Sequence, residues 1–149
     1  MESIKTLLRE ICEARVKQRL QEITQGIAIA QESLENETKS SAGDKYETSR
    51  EMIQQDLSRY QEQLSQAKKD LNILKKLDLS PKDSVSLGTL VLTKNNLYFL
   101  AISLGKAEIN QQSYMVISPF SPIGRLLLDK KQGESFHFNG TEHRIIEIY

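Results

Sequence analysis

Hydrophobic positions in the first half of the chain recur at alternating steps of three and four residues. The first stripe consists of Leu20, Ile23, Ile27, Ala30 and Leu34, with Ile4, Leu7, Leu8 and Ile11 upstream. The second stripe consists of Ile53, Leu57, Tyr60, Leu64, Ala67, Leu71 and Leu74. This spacing is typical of a coiled-coil seam. Because each stripe needs an apolar partner, the pattern predicts two long helices folded back as an antiparallel hairpin.

The segment 39–48 has no seam residues and is the predicted turn of this hairpin. Gly43 can close the first helix in the left-handed conformation, and Asp44 with Glu47 can form a capping box for the second. Arms of about 30 to 40 residues give a rod of roughly 50 Å. Because a two-helix rod is too narrow to form a cleft, we expect chemistry only at its tip or its base.

The second half of the chain has the pattern of short strands. Strands are predicted over residues 85–93, 97–102 and 113–117, and two closing strands contain residues 136–138 and 144–149. Asn95 and Asn96 predict a tight hairpin, because asparagine tolerates positive φ. A second turn is predicted at Asn139 and Gly140. Ser121 followed by Pro122 predicts the start of a short helix over residues 123–129.

Composition changes near residue 80. All three prolines, five of the seven glycines and seven of the nine aromatic residues follow it. Such a shift predicts two units with different secondary structure. We therefore expect a helical domain over residues 1–78 and a small α+β domain over residues 79–149, with a modest core.

Charge and apolar content exclude several classes of protein. The 20 basic residues balance the 20 acidic residues, and each half is also close to neutral, so the chain has no excess positive charge for binding nucleic acid on its own. No segment approaches the length of a membrane span, and the first ten residues lack the apolar core of a signal peptide, so a cytoplasmic protein is expected. The single cysteine, Cys12, is interpreted as a small buried or half-buried hydrophobe.

Two histidines are the remaining candidates for metal ligands. His137 and His143 lie on predicted strands, and no cysteine or acidic cluster stands at ligand spacing beside them. We therefore interpret both as ordinary strand residues.

Three segments of the second half carry a resemblance to a known family. These are VSLGTLV at residues 85–91, the helix start SPIGR at Ser121 with the turn KQGE at Lys131, and HRIIEIY at residues 143–149. They resemble the C-terminal domain of the bacterial Gre transcript-cleavage factors. The resemblance implies an α+β fold, in which an N-terminal antiparallel coiled-coil hairpin precedes a small FKBP-like β-sheet domain with one short helix.

The resemblance also implies a function. In the Gre family the coiled coil enters the secondary channel of RNA polymerase, and the globular domain docks on the rim. Two acidic residues at the tip help the polymerase hold a second Mg²⁺ and cleave a backtracked transcript. The family tip motif GDxxEN is matched by GDKYET, which begins at Gly43, so Asp44 and Glu47 are the candidate catalytic and metal-binding residues. RNA polymerase is the expected partner of a monomer, with RNA contacted through it and no membrane involved.

The spacing of these acids is compatible with that role. Residues three apart at a helix start share one side, and two carboxylates alone bind Mg²⁺ weakly, which suits a site shared with the polymerase. A second metal stabilises the attack of water on a phosphodiester. The protein would then stimulate the polymerase and have no active site of its own. The same residues also form a plain capping box, so both interpretations stay open.

Departures from the family motif count against full activity and leave an alternative function open. Thr48 replaces the asparagine of the motif, and Lys45 and Arg50 place positive charge beside the two acids. The first arm also lacks the family's Arg-Pro element. The alternative is therefore a Gre-like polymerase inhibitor, or a coiled-coil interaction module, that does not stimulate cleavage.

Overall fold

The chain is an α+β protein in which two long helices precede a mixed β-sheet. The computed structural model describes the backbone of residues 1–39 and 43–149, and the side chains of residues 1–36 and 47–149. The helices are α1 (Glu2–Lys39), α2 (Gly43–Lys75) and α3 (Pro122–Leu127). The strands are β1 (Leu90–Thr93), β2 (Leu97–Leu100), β3 (Gly105–Ile109), β4 (Gln112–Ile117), β5 (Ser135–Phe138) and β6 (Thr141–Ile148).

The residues form two compact units. One unit contains residues 15–71, and the other contains residues 1–14 together with residues 72–149. The division of the chain into domains over residues 1–78 and 79–149, expected from the sequence, is a different division and remains a prediction. Among the described residues, no helix combines the length and the apolar character that crossing a membrane requires.

The helical unit is an antiparallel pair. Arg19 near the middle of α1 contacts Asp70 near the end of α2. Gly26, further along α1, lies against Tyr60, which comes earlier in α2, so the two helices run in opposite directions. The predicted seam is confirmed, because each of its positions in both helices is buried or half-buried. This burial of one stripe from each helix supplies the apolar contact that stabilises long helices in water.

The stripe predicted at the start of α1 is partly wrong. Leu7 is 42% exposed, whereas Lys5, Leu8 and Cys12 are buried. The buried residues are spaced three and four apart, as on one face of a helix. This face is rotated by one position from the predicted stripe, which contained only apolar residues. Cys12 is buried as predicted.

The six strands have the order β3-β4-β2-β1-β6-β5. All neighbours are antiparallel except β2 and β4, which are parallel. Side chains from the strands, from α3 and from the segment before β1 form the hydrophobic core of the sheet. It consists of Val85, Val91, Tyr98, Leu100, Ile117, Leu127, Phe136 and Ile145.

The first predicted strand is shorter than expected. The pattern predicted residues 85–93, but β1 starts at Leu90 because a turn precedes it. The Thr89 hydroxyl donates to the carbonyl of Ser86 over 2.7 Å, and Gly88 has φ +90°. The Gly88 N–H donates to the carbonyl of Leu100 over 2.8 Å, so this turn is attached to β2.

The first hairpin is present, but its turn has a different cause. Asn95 and Asn96 do not have positive φ. Instead, the Thr93 N–H donates to the Asn96 carbonyl over 2.9 Å, and the Thr93 hydroxyl accepts from the Asn96 N–H over 3.2 Å. The turn predicted at Asn139 and Gly140 is confirmed, since both have positive φ.

Strand β3 was missed by the sequence pattern. It pairs with β4 through a two-residue turn, Asn110 and Gln111, whose φ angles are +51° and +67°. Its only buried residue is Ala107, and Lys106 pairs with Glu108 on the exposed face over 3.0 Å. An edge strand with one small buried residue gives almost no apolar alternation, which explains the omission.

Helix α3 begins as predicted. The Ser121 Oγ accepts from the Gly124 N–H over 3.1 Å, and Pro122 occupies the first turn. The helix ends at Leu127 rather than at 129, because Asp129 adopts φ +65°. The Ser121 hydroxyl also donates to the carbonyl of Ser118 over 2.6 Å, which folds the preceding loop against the helix start.

We expect Gly88→Ala to lower the free energy of unfolding by about 3 kcal/mol or more. A Cβ at this position would lie 2.2 Å from the carbonyl oxygen of Asp78, and the positive φ adds strain. The matched control is Gly105→Ala, which has φ +96° but nothing within 4 Å of its Cβ, so it should cost only about 1 to 2 kcal/mol. Urea unfolding measures both, and equal losses would contradict the contact with Asp78.

Candidate functional site

The ends of α1 and α2 both fall within the predicted segment 39–48, but Gly43 belongs to α2 and does not close α1. α1 ends at Lys39 and α2 begins at Gly43. Asp44 and Glu47 therefore both lie at the start of α2, three residues apart, which is the spacing that places two side chains on one side of a helix. Glu47 is exposed. The side chain of Asp44 lies outside the described residues, and so does the geometry of the predicted capping box.

The neighbours of these acids differ in exposure. Thr48 is exposed, and Arg50 is half-buried, whereas the side chain of Lys45 is outside the described residues. Among the residues described, no group of three potential metal ligands is close enough to hold an ion. One or two carboxylates bind Mg²⁺ weakly, so the Mg²⁺ site predicted at Asp44 and Glu47 would need further ligands from a partner.

A second candidate surface lies in the unit that contains the sheet, and the sequence pattern did not indicate it. It is an open, mostly apolar groove of about 850 Å³. We call it the apolar groove. Its lining residues are Asn72, Ile73, Lys76, Leu77, Asp78, Lys82, Ser86, Leu87, Pro119, Phe120, Arg125 and Leu128. A protein surface of this kind is characteristic of a site that contacts another molecule.

The apolar groove contains large hydrophobic side chains that are exposed to solvent. Phe120 is 78% exposed, and Leu87 and Leu128 are 40% and 39% exposed. Phe120 lies in the loop before α3, where its N–H donates to the Ser118 hydroxyl over 3.1 Å. This hydrogen bond helps order the loop but leaves the aromatic ring exposed to solvent. The segment SPFSP, an aromatic residue between two prolines, is the signal that could have identified the residue.

Charge in the apolar groove is mainly positive. Lys76, Lys82 and Arg125 line it together with a single acid, Asp78. The Lys82 ammonium lies 2.8 Å from the Asp78 carboxylate. Hydrogen bonds from Lys82 and then from Ser80 hold the pKa of Asp78 well below its usual range. One acid against three bases leaves this surface with a net positive charge.

Lys5 is buried without a hydrogen-bond partner. It is 1% exposed, and no described group lies within hydrogen-bonding distance of its Nζ atom. Burial lowers the pKa of its amine below the usual 10.5; Glu2 and Asp78 oppose this shift, and Lys82 adds to it. A buried ammonium without a partner is destabilising, because its lost hydration is not replaced.

The histidines occupy the strands on which they were predicted. His137 lies in β5, and His143 lies in β6, where its ring stacks on Phe136 with centroids 5.2 Å apart. This contact gives His143 a packing role.

Comparison with known proteins gives limited similarity. No protein-family model matches the chain, and no curated protein matches it. Among solved structures, the transcription factor Gfh1 has 20% identity and a TM-score of 0.37, and 93% of each chain is covered. The Thermus thermophilus GreA factor homolog 1 (Gfh1) has 19% identity and a TM-score of 0.37, with 92% of this chain and 94% of that chain covered.

The Thermus aquaticus Gfh1 structure has 15% identity and a TM-score of 0.34, with 94% of this chain and 95% of that chain covered. At such identities and TM-scores, the likeness assigns neither a family nor an activity to this chain. The class that its own structure defines is an α+β protein with a long N-terminal helical pair.

We expect Lys5→Met to raise the free energy of unfolding at neutral pH by about 1 kcal/mol or more, because it removes an unpaired buried charge and keeps the volume. With a pKa lowered by folding, Lys5 binds fewer protons in the native state than in the unfolded state. The free energy of unfolding of the wild-type protein should therefore rise relative to that of the variant as pH increases from the lowered pKa towards 10.5. Chemical denaturation across this pH range measures both effects, and a constant difference between the proteins would contradict the assignment.

Proposed function

We propose that this chain is a Gre-like factor that binds RNA polymerase through its secondary channel and stimulates cleavage of backtracked transcripts. The observation that carries the proposal is the position of the turn. In the long antiparallel helical pair, α1 ends at Lys39 and α2 begins at Gly43, next to Asp44 and Glu47 in the sequence. The resemblance of the tip motif and of the segments around Ser121 to the Gre factors supplies the link to polymerase.

The two tip acids are proposed to act in a site shared with the polymerase. Asp44 and Glu47 would each contribute carboxylate oxygens to a Mg²⁺ ion whose other ligands come from the polymerase. When bound there, the ion stabilises the charge that develops as water attacks a phosphodiester. Under this proposal the chain orients and completes the polymerase's own site, and it is not an independent enzyme.

The apolar groove is proposed as the surface that holds the factor on the polymerase. Exposed Phe120 supplies a large aromatic contact area, which is typical of residues that dominate the energy of an interface. Lys76, Lys82 and Arg125 favour an acidic surface opposite, which aligns the partners as they meet. The factor is proposed to act as a cytoplasmic monomer that contacts transcript RNA only through the polymerase.

A Gre-like factor without cleavage activity is the second candidate. Thr48 at the last motif position and the cations Lys45 and Arg50 near the acids are the observations that favour it. Such a protein would enter the same channel and inhibit the polymerase or compete with cleavage factors. Binding or inhibition that persists without both acids would distinguish it from the stimulator.

We expect Asp44→Ala and Glu47→Ala each to slow cleavage in a stalled elongation complex by about 100-fold or more, the scale of losing a group that acts on the transition state. The assay measures RNA shortening with Mg²⁺ and the cognate polymerase, and affinity for the polymerase should change less than about twofold. Glu51→Ala, an exposed acid one turn further along α2, is the control and should retain activity. If the wild-type protein produces no shortened RNA, the proposal that it stimulates transcript cleavage is rejected.

We expect Phe120→Ala to raise the Kd for polymerase by at least about tenfold, because it removes the most exposed aromatic side chain of the apolar groove. The control is Leu126→Ala, which removes an exposed leucine of α3 that does not line the groove. Both variants should retain wild-type stability. Equal effects of the two substitutions on Kd would reject the groove as the docking surface.

A further inference from the structure

A buried acid interrupts the apolar seam of the helical unit. Asp70 is 6% exposed, and its carboxylate accepts one hydrogen bond from Arg19 over 3.2 Å and another from Gln66 over 2.9 Å. Arg19 belongs to α1, whereas Gln66 lies one turn before Asp70 in α2. A carboxylate withdrawn from water is strongly destabilising when it is left unpaired, so Asp70 depends on having Arg19 opposite it.

A glycine and a tyrosine form a second specific contact across the same pair. A Cβ added at Gly26 would lie 2.7 Å from Cζ of Tyr60 and 2.9 Å from its Cε1. The tyrosine ring therefore occupies space that the side chain of any other residue would take. A Cβ opposite Tyr60 would therefore force the far end of the tyrosine side chain to move from this position.

Apolar contacts alone discriminate weakly between alignments of these helices. Because seam residues repeat about every seven positions, sliding one helix by seven residues again places apolar residues opposite one another. After such a slide Asp70 would face Cys12 or Gly26, neither of which carries a positive charge. Tyr60 would face Arg19 or Ser33, and both have a Cβ where Gly26 has none.

We infer that the Arg19–Asp70–Gln66 network and the Gly26–Tyr60 contact together fix the register of the helical pair. The sequence midpoints of Arg19–Asp70 and Gly26–Tyr60 fall at residues 43 to 45, beside the start of α2. A slide of seven residues moves this midpoint by three to four residues and changes which side chains lie at the turn. These are positioning residues for the tip, a consequence that rests on the function proposed above. The register itself does not depend on that function.

The register can be measured as a distance between two spin labels. In a Cys12→Ser background, labels at Gln21→Cys and Gln55→Cys occupy exposed positions at different heights on the helical pair. A slide of seven residues changes their axial separation by about 10 Å. We expect one distance for the parent protein. The variant Arg19→Leu/Asp70→Leu/Tyr60→Leu should show a second population displaced by about that amount.

The chain contains a matched control. Asp56 and Arg59 form an ion pair on the exposed surface of α2, with their side chains 49% and 60% exposed. Asp56→Leu breaks this ion pair and leaves Arg59 in place, because the Arg59 guanidinium lies 5.7 Å from the centre of the Tyr60 ring. This variant should keep the single distance. A single unchanged distance in the triple variant would overturn the inference. If the triple variant loses its helical circular dichroism, Asp70→Asn with Tyr60→Leu is measured instead, with the same two outcomes.

Stability and activity separate the possible roles of these residues. Replacing a buried ion pair by leucines commonly leaves stability unchanged or raises it, so a purely stabilising pair would not produce a second distance. If wild-type protein stimulates transcript cleavage, the triple variant should lose that activity in proportion to its slipped population. If wild-type protein has no effect on polymerase, the proposed function fails, and the distance measurement still decides the register.

Discussion

Two packed helices bury only one narrow stripe of each, and this constraint governs the helical unit. The stripe supplies the apolar contact that keeps α1 and α2 helical in water, but it leaves no volume for a cleft. Every outward position is solvated, so a functional group can act only where the helices end or where an exposed surface meets a partner. The turn next to Asp44 and Glu47 is such an end, and that is why its position carries the functional proposal.

Two buried charged side chains in this protein differ in whether a described group pairs with them. Asp70 lies in the seam with Arg19 and Gln66 as partners, so its charge is compensated, and the alignment of two helices depends on it. Lys5 is equally buried, but no described group accepts a hydrogen bond from its amine. The first arrangement favours one register over its alternatives, whereas the second lowers the pKa and weakens the folded state.

Local backbone chemistry shapes the surface of the sheet unit. Gly124 lies so close to the carbonyl of Ser118 that a Cβ would be 2.1 Å from its oxygen, and Ser121 joins both to the start of α3. This tight loop leaves the Phe120 ring outside the core, beside the hydrophobic and basic residues of the apolar groove. An ordered loop that exposes an aromatic residue suits binding, because little conformational entropy is lost when a partner covers it.

Periodicity in the sequence was sufficient for the helical seam, the turn region, most strands and the start of α3, because these depend on neighbours in the chain. Edge strand β3, the turn before Leu90, buried Lys5 and the Asp70 network were not predictable, since each depends on residues distant in sequence. The tip acids came from a local motif, but Phe120 became a candidate only through its exposure beside Lys82 and Arg125. The sequence by itself determined which faces are apolar, through the repeat of each helix and strand. Tertiary structure alone decided which polar side chains are buried or paired, because burial and electrostatic compensation are set by contacts between elements.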